Sequence, residues 1–291
     1  MDERTALGLI ADRLAPAGDD AAVVADLVFT IDMLHDSTDF PDGTTRYTAG
    51  WRAVGASLSD VAAMGADPIG AVAVYGAPTF EYDAVLSFID GARDVCDLVG
   101  GAYVGGDLDE HAEFTVATAA IGRADDPVRR SGASPGDRLC VTGTLGRSGA
   151  ALKLFAAGEH ERANELFRFE PRIAAGRALA PHATAMMDSS DGLARSLHQI
   201  AQASQVGIAV ESPLPIDDDL TAVVGDDAER RELGTFFGED FELVCAIDPS
   251  DLGTARENTP VPVTPIGRVE DGDEVTLDGE PLADRGYTHG E

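Results

Sequence analysis

Apolar and polar positions in the first half of the chain alternate between short strand-like runs and longer helical patterns. From about Arg46 to Met64 apolar residues recur at three- and four-residue steps, and a second such pattern runs from Tyr82 to Val99. This spacing predicts two amphipathic helices, each followed by a glycine-containing stop. The strand-like runs cover residues 27–31, which end at Asp32, and residues 69–75, 102–104 and 114–121. The pattern predicts a sheet accompanied by helices.

The second half repeats this alternation after a break. Breakers and polar residues cluster between Gly122 and Gly136, which marks a domain boundary. A strand over 138–142 follows, then a helix containing Lys153, a run over 184–187 that leads to Asp188, and a helix over 193–204. Further strands are predicted at 206–210, 241–247 and 263–269. We therefore expect an α/β protein built from two α+β domains, residues 1–130 and 131–291.

The net charge of the chain limits the kinds of partner that it is expected to bind. The 291-residue chain carries a formal charge of −31, with a sequence pI near 4.2. Such a surface repels nucleic acid and anionic lipid, so we expect neither as a partner. Lys153 is the sole lysine, which favours adaptation to molar salt over an acidic protein of an ordinary cell. The acidic N-terminus, Met1 to Arg4, has no apolar signal core, and we expect a cytoplasmic protein.

Short acidic motifs beside glycines or other small residues recur along the chain. They read Gly18-Asp19-Asp20, Thr30-Ile31-Asp32, Ser57-Leu58-Ser59-Asp60, Gly105-Gly106-Asp107, Asp188-Ser189-Ser190-Asp191-Gly192 and Gly238-Glu239-Asp240. Carboxylates at strand ends and turns, where glycine lets the backbone approach closely, suit Mg²⁺ and phosphate. The alternative for any single Asp is a solvated loop residue in an aspartate-rich chain. Taken together, the motifs indicate an enzyme that handles a nucleoside triphosphate.

Two of these motifs have a specific local context. The segment from Asp188 to Gly192 precedes a helix, so its N–H groups and hydroxyls suit phosphate while its acids suit a metal. Its alternative role is to cap that helix through Ser190 or Asp191, and the two roles are compatible. Asp60 falls in mid-helix, where Asp has no propensity advantage, so a ligand role is favoured.

The remaining candidates depend on pairing. Asp20 precedes Asp32 by twelve residues, and a hairpin-like return would bring both carboxylates to one edge, where a cation would offset their repulsion. Arg130 is either a phosphate clamp or a loop arginine that pairs with surface acids. The sequence contains no Walker A loop, no complete GxGxxG, no HExxH and no GxSxG. The common nucleotide and hydrolase signatures are therefore missing, so a functional assignment depends on the carboxylate motifs.

These segments, in this order, resemble the thiamine-monophosphate kinase family, part of the superfamily that includes aminoimidazole ribonucleotide synthetase. The resemblance implies the two-domain aminoimidazole ribonucleotide synthetase-like fold and a homodimer built through the sheet of the first domain. It also implies ATP-dependent phosphorylation of thiamine phosphate to thiamine diphosphate, by direct in-line transfer without a phosphoenzyme. The matching segments are residues 18–24, 30–40, 57–68, 105–107, 130–137, 142–144, 188–193, 238–243 and 286–287, and their order is far more specific than any one of them.

The resemblance further implies residue roles. It implies no catalytic side chain, because several Mg²⁺ ions and correct positioning carry a phosphoryl transfer. Asp39 stands where bacterial members often have His, and its carboxylate suits the thiazolium charge or an amine of thiamine. The implied Mg²⁺ ligands are Asp20, Thr30, Ile31 through its carbonyl, Asp32, Asp60, Asp107, Asp188 and Asp191; the ATP contacts are Gly106, Asp107, Arg130 and Ser190; the substrate contacts are Asp39, Glu239 and Tyr287.

Two other functions stay open. Another ATP-using member of the superfamily, such as an aminoimidazole ribonucleotide synthetase-like ligase, would share most of the motifs, although segments 188–192 and 238–243 favour the thiamine enzyme. A non-catalytic acidic protein that binds divalent cations would explain the carboxylates but not the ordered glycine motifs. Mg²⁺-dependent binding of ATP separates the enzyme from the cation-binding protein.

Overall fold

The computed structural model describes residues 8–10, 13–14 and 17–287, so the acidic stretch from Met1 to Arg4 lies outside the described residues. Within these ranges the chain forms two sheets, one in each half. No helix among them is long and apolar enough to cross a membrane.

The first half forms a five-stranded sheet with helices on one face. Its elements are β1 Ala22–Val24, β2 Leu27–His35, α1 Arg46–Ala63, β3 Asp67–Ala77, α2 Tyr82–Val99, β4 Tyr103–Glu110 and β5 Thr115–Arg123. The strand order is β1-β2-β5-β3-β4, and β3–β4 is the parallel pair. Helix α1 packs on β2, β3 and β5, and α2 packs alongside α1.

The second half forms a seven-stranded sheet. Its elements are β6 Arg138–Thr142, α3 Arg147–Ala156, α4 His160–Phe167, α5 Ile173–Leu179, β7 Ala183–Asp188, α6 Leu193–Ser204, β8 Gly207–Val210, α7 Asp218–Val223, α8 Asp227–Thr235, β9 Leu243–Ile247, α9 Leu252–Asn258, β10 Val263–Glu270, β11 Val275–Leu277 and β12 Glu280–Pro281. The strand order is β12-β11-β8-β10-β6-β9-β7. Helix α6 has the bounds that its sequence pattern predicts.

Helix α1 joins the two halves. It begins at a Thr45 cap, whose hydroxyl accepts a hydrogen bond from Thr48 N at 3.1 Å. Its apolar residues Val54, Leu58 and Val61 are fully buried, as the periodicity predicts. The helix contacts β2, β3 and β5 on one side and α4, α5 and β7 of the second half on the other. Side chains from α1 therefore reach groups supplied by both halves.

Two predicted strand ends are wrong. Strand β2 continues to His35, so Asp32 lies in mid-strand opposite Thr118 rather than at the end of the strand. Strand β4 runs through Gly106 and Asp107, which belong to an edge strand rather than a turn. An apolar-run criterion stops at the first carboxylate, whereas backbone pairing continues when a polar side chain finds a polar partner.

Candidate active site

The first part of the candidate site is a polar seam between β2 and α1. Thr30 and Asp32 are two residues apart, so they share the face of β2 that meets the helix. Ser57 and Asp60 are three apart on α1 and share one helical face. The Thr30 hydroxyl donates to Asp60, and the Ser57 hydroxyl donates to Asp32 at 2.5 Å. Strand and helix periodicity thus bring two predicted metal ligands, Asp32 and Asp60, together.

Three carboxylates from separate elements converge next to this seam. One oxygen from each of Asp20, Asp60 and Asp188 lies within 4.8 Å of the others. Asp20 precedes β1, Asp60 lies on α1, and Asp188 ends β7 in the second half. Hard oxygen donors grouped in this way are the ligands that Mg²⁺ prefers. The structure therefore brings together three of the predicted metal ligands between the two halves of the chain.

The pKa values of these acids are raised because burial and neighbouring negative charges disfavour their ionised forms. Desolvation raises the pKa of Asp60 well above its ordinary value, and the charges of Asp32, Asp188 and Asp20 raise it further. Burial and the charge of Asp20 raise the pKa of Asp188 to about 7, against hydrogen bonds from Ser59 and Ser190 that lower it. Desolvation likewise raises the pKa of Asp32. A cation among these groups would favour their ionised forms.

Arg130 pairs with one acid of this cluster. Its Nη2 lies 2.8 Å from Asp20 Oδ1 and its Nε 3.3 Å from Asp20 Oδ2. The Asp20 side chain is only 1% exposed, so Arg130 pairs with an enclosed acid and not with the surface acids of the alternative interpretation. Its backbone N–H donates to Asp19 at 3.1 Å. Arg130 therefore neutralises part of the cluster, close to where the sequence predicts a phosphate.

The turn from Asp188 to Gly192 holds its first acid in place. Ser190 donates from its hydroxyl to Asp188 Oδ1 at 2.8 Å, and Ser59 donates to Asp188 Oδ2 at 2.6 Å. Helix α6 has Gly192 as its N-cap, without a side-chain capping bond. Gly192, rather than Ser190 or Asp191, therefore occupies the N-cap position. Asp191 lies outside the three-carboxylate cluster, and its carbonyl accepts the Tyr287 N–H at 3.1 Å.

Gly106 and Asp107 lie on edge strand β4, which β5 and β3 separate from β2. Gly106 pairs with Ala73 of β3, and a Cβ at position 106 would lie 1.9 Å from the Ala73 carbonyl oxygen. Close strand packing therefore requires glycine at position 106, independently of any contact with a ligand. Asp107 is exposed and lines a cavity of about 740 Å³ whose walls are mainly the open face of the sheet, including Ile31, Met33 and Val74. A second cavity of about 380 Å³ beside Asp107 is lined by Tyr75 and other apolar side chains.

Ile31 faces away from the seam. Its side chain projects from the face of β2 opposite to Thr30 and Asp32 and is 71% exposed. The sequence assigns Ile31 to the metal through its carbonyl oxygen, and that assignment stays a prediction.

The three predicted substrate contacts gather near each other. The Tyr287 hydroxyl donates to Asp39 Oδ1 at 3.4 Å. Desolvation raises the pKa of Tyr287, and the charges of Asp39 and Glu239 raise it further. Glu239 also raises the pKa of Asp32. The predicted substrate contacts therefore lie within electrostatic reach of each other and of the polar seam.

Two contacts were missed by the sequence reasoning. The Ser59 hydroxyl donates to Asp188, a contact that the motif around Asp60 does not predict. Arg52, buried on α1, forms a salt bridge with Glu239. Both carried a signal: Ser59 is next to Asp60, and Arg52 precedes Asp60 by eight residues, about two helical turns.

Comparisons with known proteins follow the same division of the chain. Residues 18–124 match the N-terminal domain, and residues 134–280 the C-terminal domain, of AIR synthase related proteins. The chain thus has the two-domain architecture of that class.

Full-length relatives narrow this class. A thiamine-monophosphate kinase of Halobacterium salinarum is 62% identical over 99% of this chain and 100% of its own length. One from Methanospirillum hungatei is 40% identical, with 99% of each chain covered. A solved structure of AaThiL complexed with AMPPCP and TMP is 28% identical, with a TM-score of 0.89 and coverage of 99% of this chain and 97% of that chain. The chain belongs to the thiamine-monophosphate kinase family.

Proposed function

We propose that this protein transfers the γ-phosphoryl group of ATP to thiamine phosphate, giving thiamine diphosphate and ADP. The observation that carries this proposal is the convergence of Asp20, Asp60 and Asp188 from both halves of the chain, in a member of the thiamine-monophosphate kinase family. Arg130 lies beside this cluster. The related AaThiL structure, which holds AMPPCP and TMP, supports the same pair of substrates.

The donor set fits Mg²⁺. Carboxylate and hydroxyl oxygens predominate at the seam, and their raised pKa values indicate acids that a cation would stabilise in the ionised form. When bound, Mg²⁺ supplies charge neutralisation to the polyphosphate and to the transferring group. The residues proposed to hold several such ions are Asp20, Thr30, Ile31, Asp32, Asp60, Asp107, Asp188 and Asp191.

The protein groups divide between the two substrates. For ATP we assign Gly106, Asp107, Arg130 and Ser190, and the apolar cavity beside Asp107 is suited to a planar base. For thiamine phosphate we assign Asp39, Glu239 and Tyr287, whose carboxylates complement a cationic ring.

The transfer itself needs alignment more than covalent catalysis. A phosphate oxygen of thiamine phosphate attacks the γ-phosphorus, the bond to the β,γ-bridging oxygen breaks, and ADP leaves with that electron pair. The acceptor phosphate is already anionic near neutral pH, so no strong general base is required. The chain's task is to hold donor and acceptor phosphates in line, and Arg130 is placed to offset their mutual repulsion.

A discontinuous assay tests the proposal. Protein in concentrated KCl is incubated with ATP, MgCl₂ and thiamine phosphate, and thiamine diphosphate, ADP and inorganic phosphate are quantified. We expect thiamine diphosphate and ADP in equal amounts without inorganic phosphate. Folded protein that binds Mg²⁺–ATP but makes no thiamine diphosphate would reject this function. Release of inorganic phosphate with another acceptor would favour a ligase of the same superfamily.

We also infer that the protein acts as a homodimer, with domains that divide at residues 130 and 131. The open face of the first sheet supports the dimer, because Phe29, Ile31 and Met33 of β2 are exposed there with Val72 and Val74 of β3. A second copy of the chain packed on this face would remove these apolar side chains from water. Light scattering in 2 M KCl, a condition chosen to screen the net charge, should give twice the mass of the chain, and Met33→Asp should shift that mass toward one chain. A monomeric wild-type protein would contradict the inference.

A further inference from the structure

Arg52 of α1 is a buried charge that none of the roles above uses. It is only 2% exposed. Its Nη2 forms a salt bridge with Glu239 Oε2 and lies 3.3 Å from the Glu239 carbonyl oxygen. Its Nη1 donates to the Phe167 carbonyl, and its Cζ lies 3.6 Å from the centre of the Phe167 ring. A guanidinium this enclosed is tolerated because its charge is paired and its N–H groups are bonded.

The loop that Arg52 holds has an unfavourable backbone. Glu239 has a φ of 70° and Phe241 a φ of 54°, both in the left-handed region that non-glycine residues avoid. Surrounding contacts hold this shape: Glu239 N donates to Ser190 O at 2.7 Å, and Ser148 Oγ donates to Glu239 O at 2.5 Å. Phe241 stacks on Phe169 with ring centres 4.0 Å apart. Such strain is found at sites where one side chain must be held in a set position.

The restraint leaves Glu239 accessible. Arg52 binds one of its carboxylate oxygens, and the side chain remains 26% exposed. Glu239 acts on the pKa of Asp32 on one side and of Tyr287 on the other. Glu239 therefore lies within electrostatic reach of both the polar seam and the other predicted substrate contacts.

We propose that Arg52 is a positioning residue that fixes Glu239 for recognition of thiamine phosphate. This inference rests on the proposed function. Arg52 Nη2 bonds the Glu239 carboxylate and lies near the Glu239 carbonyl oxygen, while Nη1 is held by the Phe167 carbonyl. The planar guanidinium is therefore fixed at both nitrogens, and this sets the loop backbone and the carboxylate direction. A lysine would keep the charge and lose that geometry. Arg52 thus acts mainly on the organic acceptor. The proposed ATP contact Ser190 touches this loop through its carbonyl oxygen, while its hydroxyl bonds Asp188.

Steady-state kinetics of Arg52→Lys in concentrated KCl test this role. We expect the KM for thiamine phosphate to rise by about tenfold or more, while the KM for ATP stays within about twofold. Binding of thiamine phosphate alone can be followed by the fluorescence of Trp51, the single tryptophan, whose Nε1 donates to Phe169 O at 2.6 Å. Arg168→Lys is the matched control, since Arg168 also contacts α1, through Thr48, without touching Glu239.

A double variant separates positioning from general stability. If Arg52 acts through Glu239, Arg52→Lys should add little to the KM effect of Glu239→Gln. An unchanged KM for thiamine phosphate in Arg52→Lys would overturn the inference alone. So would an equal rise in both KM values together with a lowered melting temperature, as expected from structural damage. Wild-type protein that neither binds nor phosphorylates thiamine phosphate would overturn the proposed function and this inference together.

Discussion

Asp240 allows a quantitative test of the electrostatics in the segment from Gly238 to Phe241, which carries Glu239 and is called the acceptor loop below. Its carboxylate is buried and accepts backbone N–H groups at the start of α3, from Gly146 at 2.5 Å and Ser148 at 3.0 Å. Burial raises its pKa to about 7, and these two hydrogen bonds oppose the shift. Asp240→Asn mimics the protonated acid. We expect the free energy of unfolding of this variant, relative to wild type, to increase with pH.

The sign and size follow from proton linkage. An unfolded Asp has its ordinary pKa of 3.8, so from pH 5 to pH 7 the folded protein holds a proton that the unfolded chain has released. Wild-type stability from this group therefore falls as pH rises through the folded pKa, and it is level above it. The slope is about 1.4 kcal/mol per pH unit and weakens near pH 7, where the folded group is half ionised, so wild type loses about 2 kcal/mol that Asp240→Asn does not lose. A constant offset from the altered hydrogen bonds does not change this difference.

Urea unfolding in concentrated KCl with EDTA, at pH 5, 6, 7 and 8, measures the relative stability. Trp51 fluorescence and circular dichroism follow the transition. Asp217→Asn is the matched control, because Asp217 is also buried and caps α7 through Asp219 N at 2.8 Å. This variant reports the change of a helix-capping carboxylate that also accepts the Thr144 hydroxyl. A stability difference between Asp240→Asn and wild type that stays flat from pH 5 to pH 8 would refute the reasoning.

Four further outcomes are expected. Asp32→Asn should lower kcat by about 100-fold or more with an unchanged circular dichroism spectrum, and near-normal turnover would remove Asp32 from the site. Arg130→Met should cost about 3 kcal/mol in urea unfolding without Mg²⁺, because it leaves Asp20 enclosed and unpaired. Gly106→Ala should lower stability by about 2 kcal/mol or more through its clash with Ala73. The melting temperature should rise between 0.5 and 3 M KCl (about 4 Å and 2 Å of screening length) if screening relieves the charge of −31.

Much of the site could be predicted because it depends on short-range periodicity. The spacing of Ser57 and Asp60 on a helix, and of Thr30 and Asp32 on a strand, sets which side chains can face each other. The structure places these two pairs in contact. The end of a strand at Asp188 was also visible in the sequence, because an apolar run stops there.

Other features could not be predicted because they depend on packing between distant segments. Nothing local to Arg130 shows that its partner is Asp20, 110 residues earlier in the chain. The left-handed backbone at Glu239 could not be predicted, because the residue at that position is not a glycine. The glycine at position 106 is required by the Ala73 carbonyl of a neighbouring strand, so its role in packing becomes visible only once the strand register is known.

Helix α1 explains how one sequence segment can set the geometry of both substrates. Arg52 holds the acceptor loop and Asp60 joins the carboxylate cluster, and eight residues separate them on one continuous helix. At a rise of about 1.5 Å per residue, the two positions lie about 12 Å apart along the helix axis. Because the hydrogen-bonded backbone of an α-helix is stiff, the spacing between Arg52 and Asp60 is fixed, with no hinge between them. A substrate bound at both places would therefore meet a fixed spacing between the group that recognises its organic part and the group that receives its phosphate.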